Sequence, residues 1–187
     1  DPETLSTLPG IELRNGLAET VKTGVIGDPE LFEICAQGEL VVRTQLEEIV
    51  RRAMAVKIKV IEEDPFETGL RETLNLGHTI GHAIEKVSDF KIHHGEAVAM
   101  GMIAEARLSQ RLGLAQGDLT DRLVDVLRGL NLPVDLPEGM NRDSLVAAMK
   151  LDKKRAGGQI RFSLPLRVGE VRTGIEIDAA EALEHLG

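Results

Sequence analysis

Between Gly95 and Leu112 the chain carries small or apolar residues on nearly every side of a helical projection, among them Ala97, Val98, Met100, Met102, Ile103 and Ala104. A helix that is apolar all round has to be buried, so this segment predicts a central helix with other helices packed about it. The remaining sequence supplies them. Leu13, Leu17, Val21 and Val25 recur every fourth residue over 11–26 and form a single helical face. Gly27-Asp28-Pro29 ends that helix and begins the next, with Asp28 as the cap and Pro29 at the first helical position. Thr44 is placed to cap a long helix to about Glu63, with the stripe Leu46, Ile49, Val50, Ala53, Val60 and Ile61. Lys57 falls in that register, and a lysine on a core-facing stripe needs a partner or a cleft.

Asp64-Pro65 breaks the pattern, and helical spacing resumes from Leu70 to Val87 after a loop. An amphipathic helix is expected over Leu119–Leu130. Pro133 and Pro137 bracket a connector, and Asp143 caps a helix to about Lys153. Beyond Gly157-Gly158 the period changes to two: Ile160, Phe162 and Leu164 alternate with polar residues, and Val171, Ile175 and Ile177 do so less cleanly. That reads as a strand pair, followed by a last short helix. The expected fold is therefore mainly α, with a short β-hairpin near the C-terminus. Residues 1–187 suffice for one domain with a real core. There is no G-x-G-x-x-G fingerprint, and nothing ahead of the first helix forms a βαβ nucleotide unit.

Composition narrows the partners. A formal charge of −9, no Trp, no Tyr and only four Phe argue against binding a phosphate backbone or stacking on bases. The apolar runs fall short of the ~20 residues a membrane helix needs, and the N-terminus lacks a signal-peptide pattern. Cys35 is the one cysteine, so no intrachain disulfide forms, and a reducing, cytoplasmic location is expected. The chain starts without Met, as a processed product or an excised piece would.

Four of the five histidines fall between His78 and His94. His78 and His82, four apart on an expected helix, share a face. Either both bind one metal, or one binds metal while the other meets substrate, or both are satisfied interior histidines. The segment lacks a Glu after His78, so the H-E-x-x-H protease reading fails. His94-Gly95-Glu96 opens the central helix. First-turn charge complementarity accounts for Glu96 but not for His94. Glu19 and Lys22, three apart, read by spacing as an ordinary surface ion pair. Arg71 and Asn75, one turn apart ahead of His78, would place a guanidinium and an amide on nearly the histidines' face. With Lys57 they make a set suited to phosphate or carboxylate. By default Asp152-Lys153-Lys154-Arg155 is a solvated helix end.

Several of these segments together resemble 3-dehydroquinate synthase, over its C-terminal helical domain. They are Gly16 through Lys22, Glu67 through Arg71, Leu74 through Glu85, His94 through Met102, and Asp152-Lys153-Lys154 followed by Ile160-Arg161-Phe162. They stand in the family's order and cover nearly the whole chain. The resemblance implies that Glu19, His78 and His94 are ligands of a divalent metal, Zn2+ or alternatively Co2+. It implies that His82 stands near the substrate phosphate for proton relay, and that Lys22, Lys57, Arg71, Asn75 and either Lys153 or Lys154 hold the substrate's anionic groups and hydroxyls. Lys22, Lys57 and His82 are the expected catalytic set. Glu67 matches a carboxylate near the site, and His93 has no counterpart. The implied reaction is loss of phosphate from 3-deoxy-D-arabino-heptulosonate 7-phosphate, with NAD as transient oxidant, in the shikimate route to aromatic amino acids. The family's NAD-binding domain would precede residue 1. This chain alone is therefore expected to lack synthase activity, and its partners are a sugar phosphate, that domain and, as an option, a second copy. Rivals are another sugar-phosphate cyclase such as 2-deoxy-scyllo-inosose synthase, a glycerol-dehydrogenase-type enzyme, and a metal-binding module without catalysis.

Overall fold

The apolar run is helical and central because it serves two cores at once. In the computed structural model, which describes residue 5, residues 7–151, the backbone of 152–156 and residues 160–184, it forms α6 (His94–Arg111). Around it lie α1 (Gly10–Gly27), α2 (Pro29–Ala36), α3 (Glu39–Thr44), α4 (Leu46–Glu63), α5 (His78–Val87), α7 (Leu119–Gly129), α8 (Arg142–Ala156) and the short α9 (Ala179–Ala182). Val98, Ala99, Met102, Ile103 and Ala106 face a core shared with α1, α2, α4 and α7. Ala97, Met100, Ala104 and Leu108 face a second core shared with α5, α8, the hairpin and α9. Among the described residues, no helix is long and apolar enough to cross a membrane.

Two glycines of α6 let it touch its neighbours backbone to backbone. A Cβ at Gly95 would lie 2.4 Å from Asn15 Cα on α1, and one at Gly101 would lie 2.0 Å from the Gly77 carbonyl oxygen at the start of α5. No side chain fits at such separations. These two approaches fix α1 and α5 against α6, and those three helices carry every histidine and carboxylate of the candidate site.

The α1 face is as the spacing predicts, with Leu13, Leu17, Val21 and Val25 all buried. Asp28 caps α2 by accepting from Leu31 N at 3.0 Å, and Pro29 opens that helix. Elsewhere the structure departs from the expectations. Thr44 does not cap α4: it ends the separate short helix α3, and its hydroxyl turns back onto the Val41 carbonyl at 2.7 Å. Lys57 is exposed rather than core-facing. The seam of α4 runs through Ile49, Ala53, Val56 and Val60, one position round from Lys57. The segment 70–87 is not one helix. Leu70–Asn75 form a 3-10 turn, Gly77 takes φ +78°, and α5 starts only at His78. The cap of α8 is Asn141, which accepts from Ser144 N at 3.0 Å, rather than Asp143.

The hairpin is present, with β1 (Arg161–Arg167) antiparallel to β2 (Glu170–Glu176). Its inner strand is buried on both faces from Phe162 to Leu166, because it lies between α6 and the 3-10 turn. The buried polar groups find partners: Ser163 Oγ donates to Glu72 O and Ser109 Oγ to Pro165 O, each at 2.6 Å.

Candidate metal centre and anion site

Helix α1 brings Glu19 and Lys22 to its one-turn spacing, and the expected pair forms with Lys22 Nζ 2.7 Å from Glu19 Oε2. It is not a surface pair. Lys22 is 5% exposed, and its ammonium also donates to Leu74 O at 2.9 Å. Burial pulls the Lys22 pKa down, and the Glu19 carboxylate opposes that shift. Burial pushes the Glu19 carboxyl up, but Lys22, His78 and His94 together outweigh it and hold it below its ordinary value.

The other carboxylate oxygen defines the site. Glu19 Oε1 is shielded from solvent and has no hydrogen-bond partner. It lies 3.4 Å from His78 Nε2 and 3.4 Å from His94 Nε2. Both rings are oriented from behind. His78 Nδ1 faces the Leu76 carbonyl at 3.1 Å, and His94 Nδ1 faces Glu85 at 3.2 Å. A carbonyl or carboxylate oxygen there accepts, which places each ring proton on Nδ1 and leaves Nε2 a lone pair. Burial and the neighbouring Lys22 also lower the His78 pKa and favour its neutral form. With both rings neutral, three lone pairs converge, and a cation is what satisfies that arrangement. The spacing fits as well, since donors about 2.0–2.1 Å from a tetrahedral zinc stand about 3.3–3.4 Å apart. One carboxylate and two imidazoles suit Zn2+ or Co2+ rather than Mg2+ or Ca2+.

His82 follows one turn on from His78, exposed, with its ring centroid 5.3 Å from that of His78 and 6.2 Å from that of His94. With Glu85 and His94 it makes a second donor trio, in which Glu85 also faces His94 Nδ1 at 3.2 Å. The other expected residues arrive by different routes. Because the chain breaks at Leu76-Gly77, Arg71 and Asn75 are not on the histidine helix. Arg71 is half-buried on the 3-10 turn, with Nη1 3.4 Å from Pro65 O, and Asn75 is exposed at its end. Lys57, although exposed, is close enough to lower the Lys22 pKa by charge repulsion. Glu67 is exposed in the preceding loop at φ +56°. The Lys153 and Lys154 side chains lie outside the described residues. His93 is the residue before α6, and its backbone N–H donates to Glu96 Oε2 at 3.1 Å.

Two contributors were not legible from spacing. Glu85 orients His94, and Asp64, read only as a helix breaker, organises the loop that carries Arg71. The 5%-exposed Asp64 accepts from Thr68 N, Thr68 Oγ1, Gly69 N and Arg71 N at 2.8–3.0 Å. These donors, the Arg71 N–H foremost, hold its carboxyl well below the usual range. A lowered folded pKa stabilises above the unfolded value of about 3.9 and is lost as pH falls through the folded one. Asp64→Asn, which turns an amide NH2 toward N–H donors, should therefore lower Tm at pH 7. The gap from the unaltered chain should close as pH is taken down through the acid range. Superimposable melting curves at pH 7 would remove Asp64 from this role.

A family profile described as 3-dehydroquinate synthase C-terminal matches residues 16–155. A 3-dehydroquinate synthase of a Synechococcus species is 45% identical over 178 residues, covering 91% of this chain and 48% of the relative. The chain thus spans about half the length of the curated relatives it matches. Among solved structures, 2-epi-5-epi-valiolone synthase from Streptomyces hygroscopicus subsp. jinggangensis, with NAD+ and Zn2+ bound, superposes with a TM-score of 0.86 at 29% identity. That match covers 98% of this chain and 52% of the other. A 2-deoxy-scyllo-inosose synthase complexed with carbaglucose-6-phosphate, NAD+ and Co2+ gives 0.84 at 26% identity, over 98% and 53%. With that match running through α1, α5 and α6, where the converging donors lie, the chain belongs to the 3-dehydroquinate synthase family, over the part described as its C-terminal region.

Proposed function

We propose that this chain is the metal- and substrate-binding half of a cytosolic 3-dehydroquinate synthase, acting on 3-deoxy-D-arabino-heptulosonate 7-phosphate and releasing phosphate. The observation that carries the reading is the convergence of Glu19 Oε1 with the Nε2 atoms of His78 and His94 at 3.4 Å. The relatives' greater length supports an NAD-binding half contributed by the rest of the enzyme.

A divalent cation held by Glu19, His78 and His94 supplies a Lewis acid for substrate hydroxyl and carbonyl oxygens. NAD supplies a reversible hydride acceptor, so the overall conversion is redox-neutral. The chain's own residues do the rest. Lys22, already desolvated and tied to Glu19 and Leu74 O, offers a fixed ammonium that loses little entropy on meeting an anion. Arg71 on its Asp64-anchored loop, with Asn75 and Lys57, holds the substrate's carboxylate and phosphate, joined by Lys153 or Lys154. The exposed His82 imidazole relays the proton that must leave carbon as the C–O bond to phosphate breaks.

The test pairs two measurements. Supplied with substrate, NAD and Zn2+, the chain alone should release no phosphate at enzymatic rates. Joined to the N-terminal half of the Synechococcus relative, it should. In the joined enzyme His82→Ala should keep its zinc and slow phosphate release by ~10²–10⁴-fold, the span of general acid–base catalysis. Turnover of glucose 6-phosphate but not of the heptulosonate phosphate would favour the inosose-synthase reading. The sequence favours the dehydroquinate member, at 45% identity against 26%.

A further inference from the structure

We infer that Glu105, the buried acid of α6, is a positioning residue for the metal centre: its carboxyl anchors the first turn of α5 and so sets His78 against Glu19. The inference rests on the metal reading proposed above. Glu105 is fully buried, and nothing in the proposed chemistry uses it.

The argument starts from α5. A helix start leaves N–H donors without intrahelical partners, and a buried start must find acceptors elsewhere. Gly77 precedes α5 and has no side chain to cap it. Glu105 reaches across from α6 instead. Its Oε2 accepts from Gly77 N at 2.5 Å; the Ile80 backbone N–H lies close enough to lower the carboxyl's pKa, and Oε1 has no hydrogen-bond partner. His78 sits between those two N–H groups in sequence, so the turn cannot shift without carrying the His78 ring with it. The ring has little freedom left, because its Nδ1 is tied to Leu76 O at 3.1 Å. Burying a carboxyl is costly, and burial pushes the Glu105 pKa well up. An apolar residue would fill the same space without that cost but would orphan the Gly77 N–H. The acid therefore serves placement, and placement within about 0.5 Å is what a metal site demands.

The test compares zinc affinity, by competition with a chromophoric chelator, in the unaltered chain and in Glu105→Ala, Glu105→Gln, Glu105→Asp and Leu123→Ala. The last is a core truncation on α7, buried with the α1 side of the protein. Glu105→Ala should bind zinc roughly 10–100-fold more weakly, the cost of losing a group that orients a ligand. Glu105→Gln, whose amide oxygen accepts the same N–H donor, should restore most of the affinity. Leu123→Ala should lose stability yet keep the affinity. If Glu105→Ala does not fold, Glu105→Asp carries the test, since its shortened acid withdraws from the same donor and should also weaken binding. Equal affinity in Glu105→Ala (or Glu105→Asp) and Leu123→Ala would overturn this inference alone. Absence of zinc binding in the unaltered chain would overturn the metal reading and this inference together.

Discussion

Glu19→Gln should weaken zinc binding by more than ~100-fold while lowering the melting temperature of the metal-free chain less than Glu19→Ala does. The two halves of the expectation have separate causes. Removing a direct ligand costs more than the ~10–100-fold typical of a group that merely orients one. In the metal-free chain Oε1 accepts no hydrogen bond, so the cost there is confined to the negative charge that the buried Lys22 ammonium loses as its counterpart. The other position keeps an oxygen for Lys22 Nζ, now at 2.7 Å from Oε2. Alanine is the poorer probe, because it strands a buried ammonium on Leu74 O alone. Stabilisation by zinc gives a second readout. A ligand at a hundred times its Kd adds ~2.7 kcal/mol, and Glu19→Gln should show almost none of it at the same zinc concentration. Calorimetric titration and melting with and without zinc measure both. Unchanged zinc uptake by Glu19→Gln would sink the proposed ligand set.

Gly101→Ala should destabilise the chain by about 3 kcal/mol or more, at or beyond the upper end for overpacking. One methyl group is added, but it would lie 2.0 Å from the Gly77 carbonyl oxygen and 3.0 Å from Gly81 N. Both obstacles are backbone, so no rotamer change relieves the clash. Helix α5 must move away from α6, which carries His78 away from His94 and pulls Gly77 N off Glu105. Zinc affinity should therefore fall together with stability, as it should not for a core truncation such as Leu123→Ala. Urea unfolding gives the first quantity and chelator competition the second. A Gly101→Ala chain of ordinary stability would mean that the α5–α6 approach is looser than backbone contact.

The contrast between these substitutions shows where the sequence was readable. Helix α6 could be found from its apolar residues alone, because an all-round apolar helix has one stable environment. The α1 face and the Asp28-Pro29 start were equally legible, since four-residue spacing and capping chemistry are local. The histidine segment was harder. Helical spacing continues through Leu70–Val87, but Gly77 in the left-handed region divides it, and the relative directions of Arg71 and His78 no longer follow from register. Lys57 fell on the wrong side of α4 for a related reason. A helix packed along a narrow seam exposes residues that a broader stripe would bury.

What the residue order fixed by itself was chemical: a mainly helical chain with a terminal hairpin, and a set of imidazoles, carboxylates and ammonium groups in one family's order. What only the tertiary structure decided was which of these meet. Glu19 and Lys22 look like any exposed pair at their spacing, and they become a buried ammonium and a shielded, unpartnered oxygen only because α1 is pressed onto α6 and the 3-10 turn. Glu85, Asp64 and Glu105 act on residues they reach through space or across a loop. Their roles depend on backbone N–H groups and ring nitrogens whose positions exist only once the helices have packed.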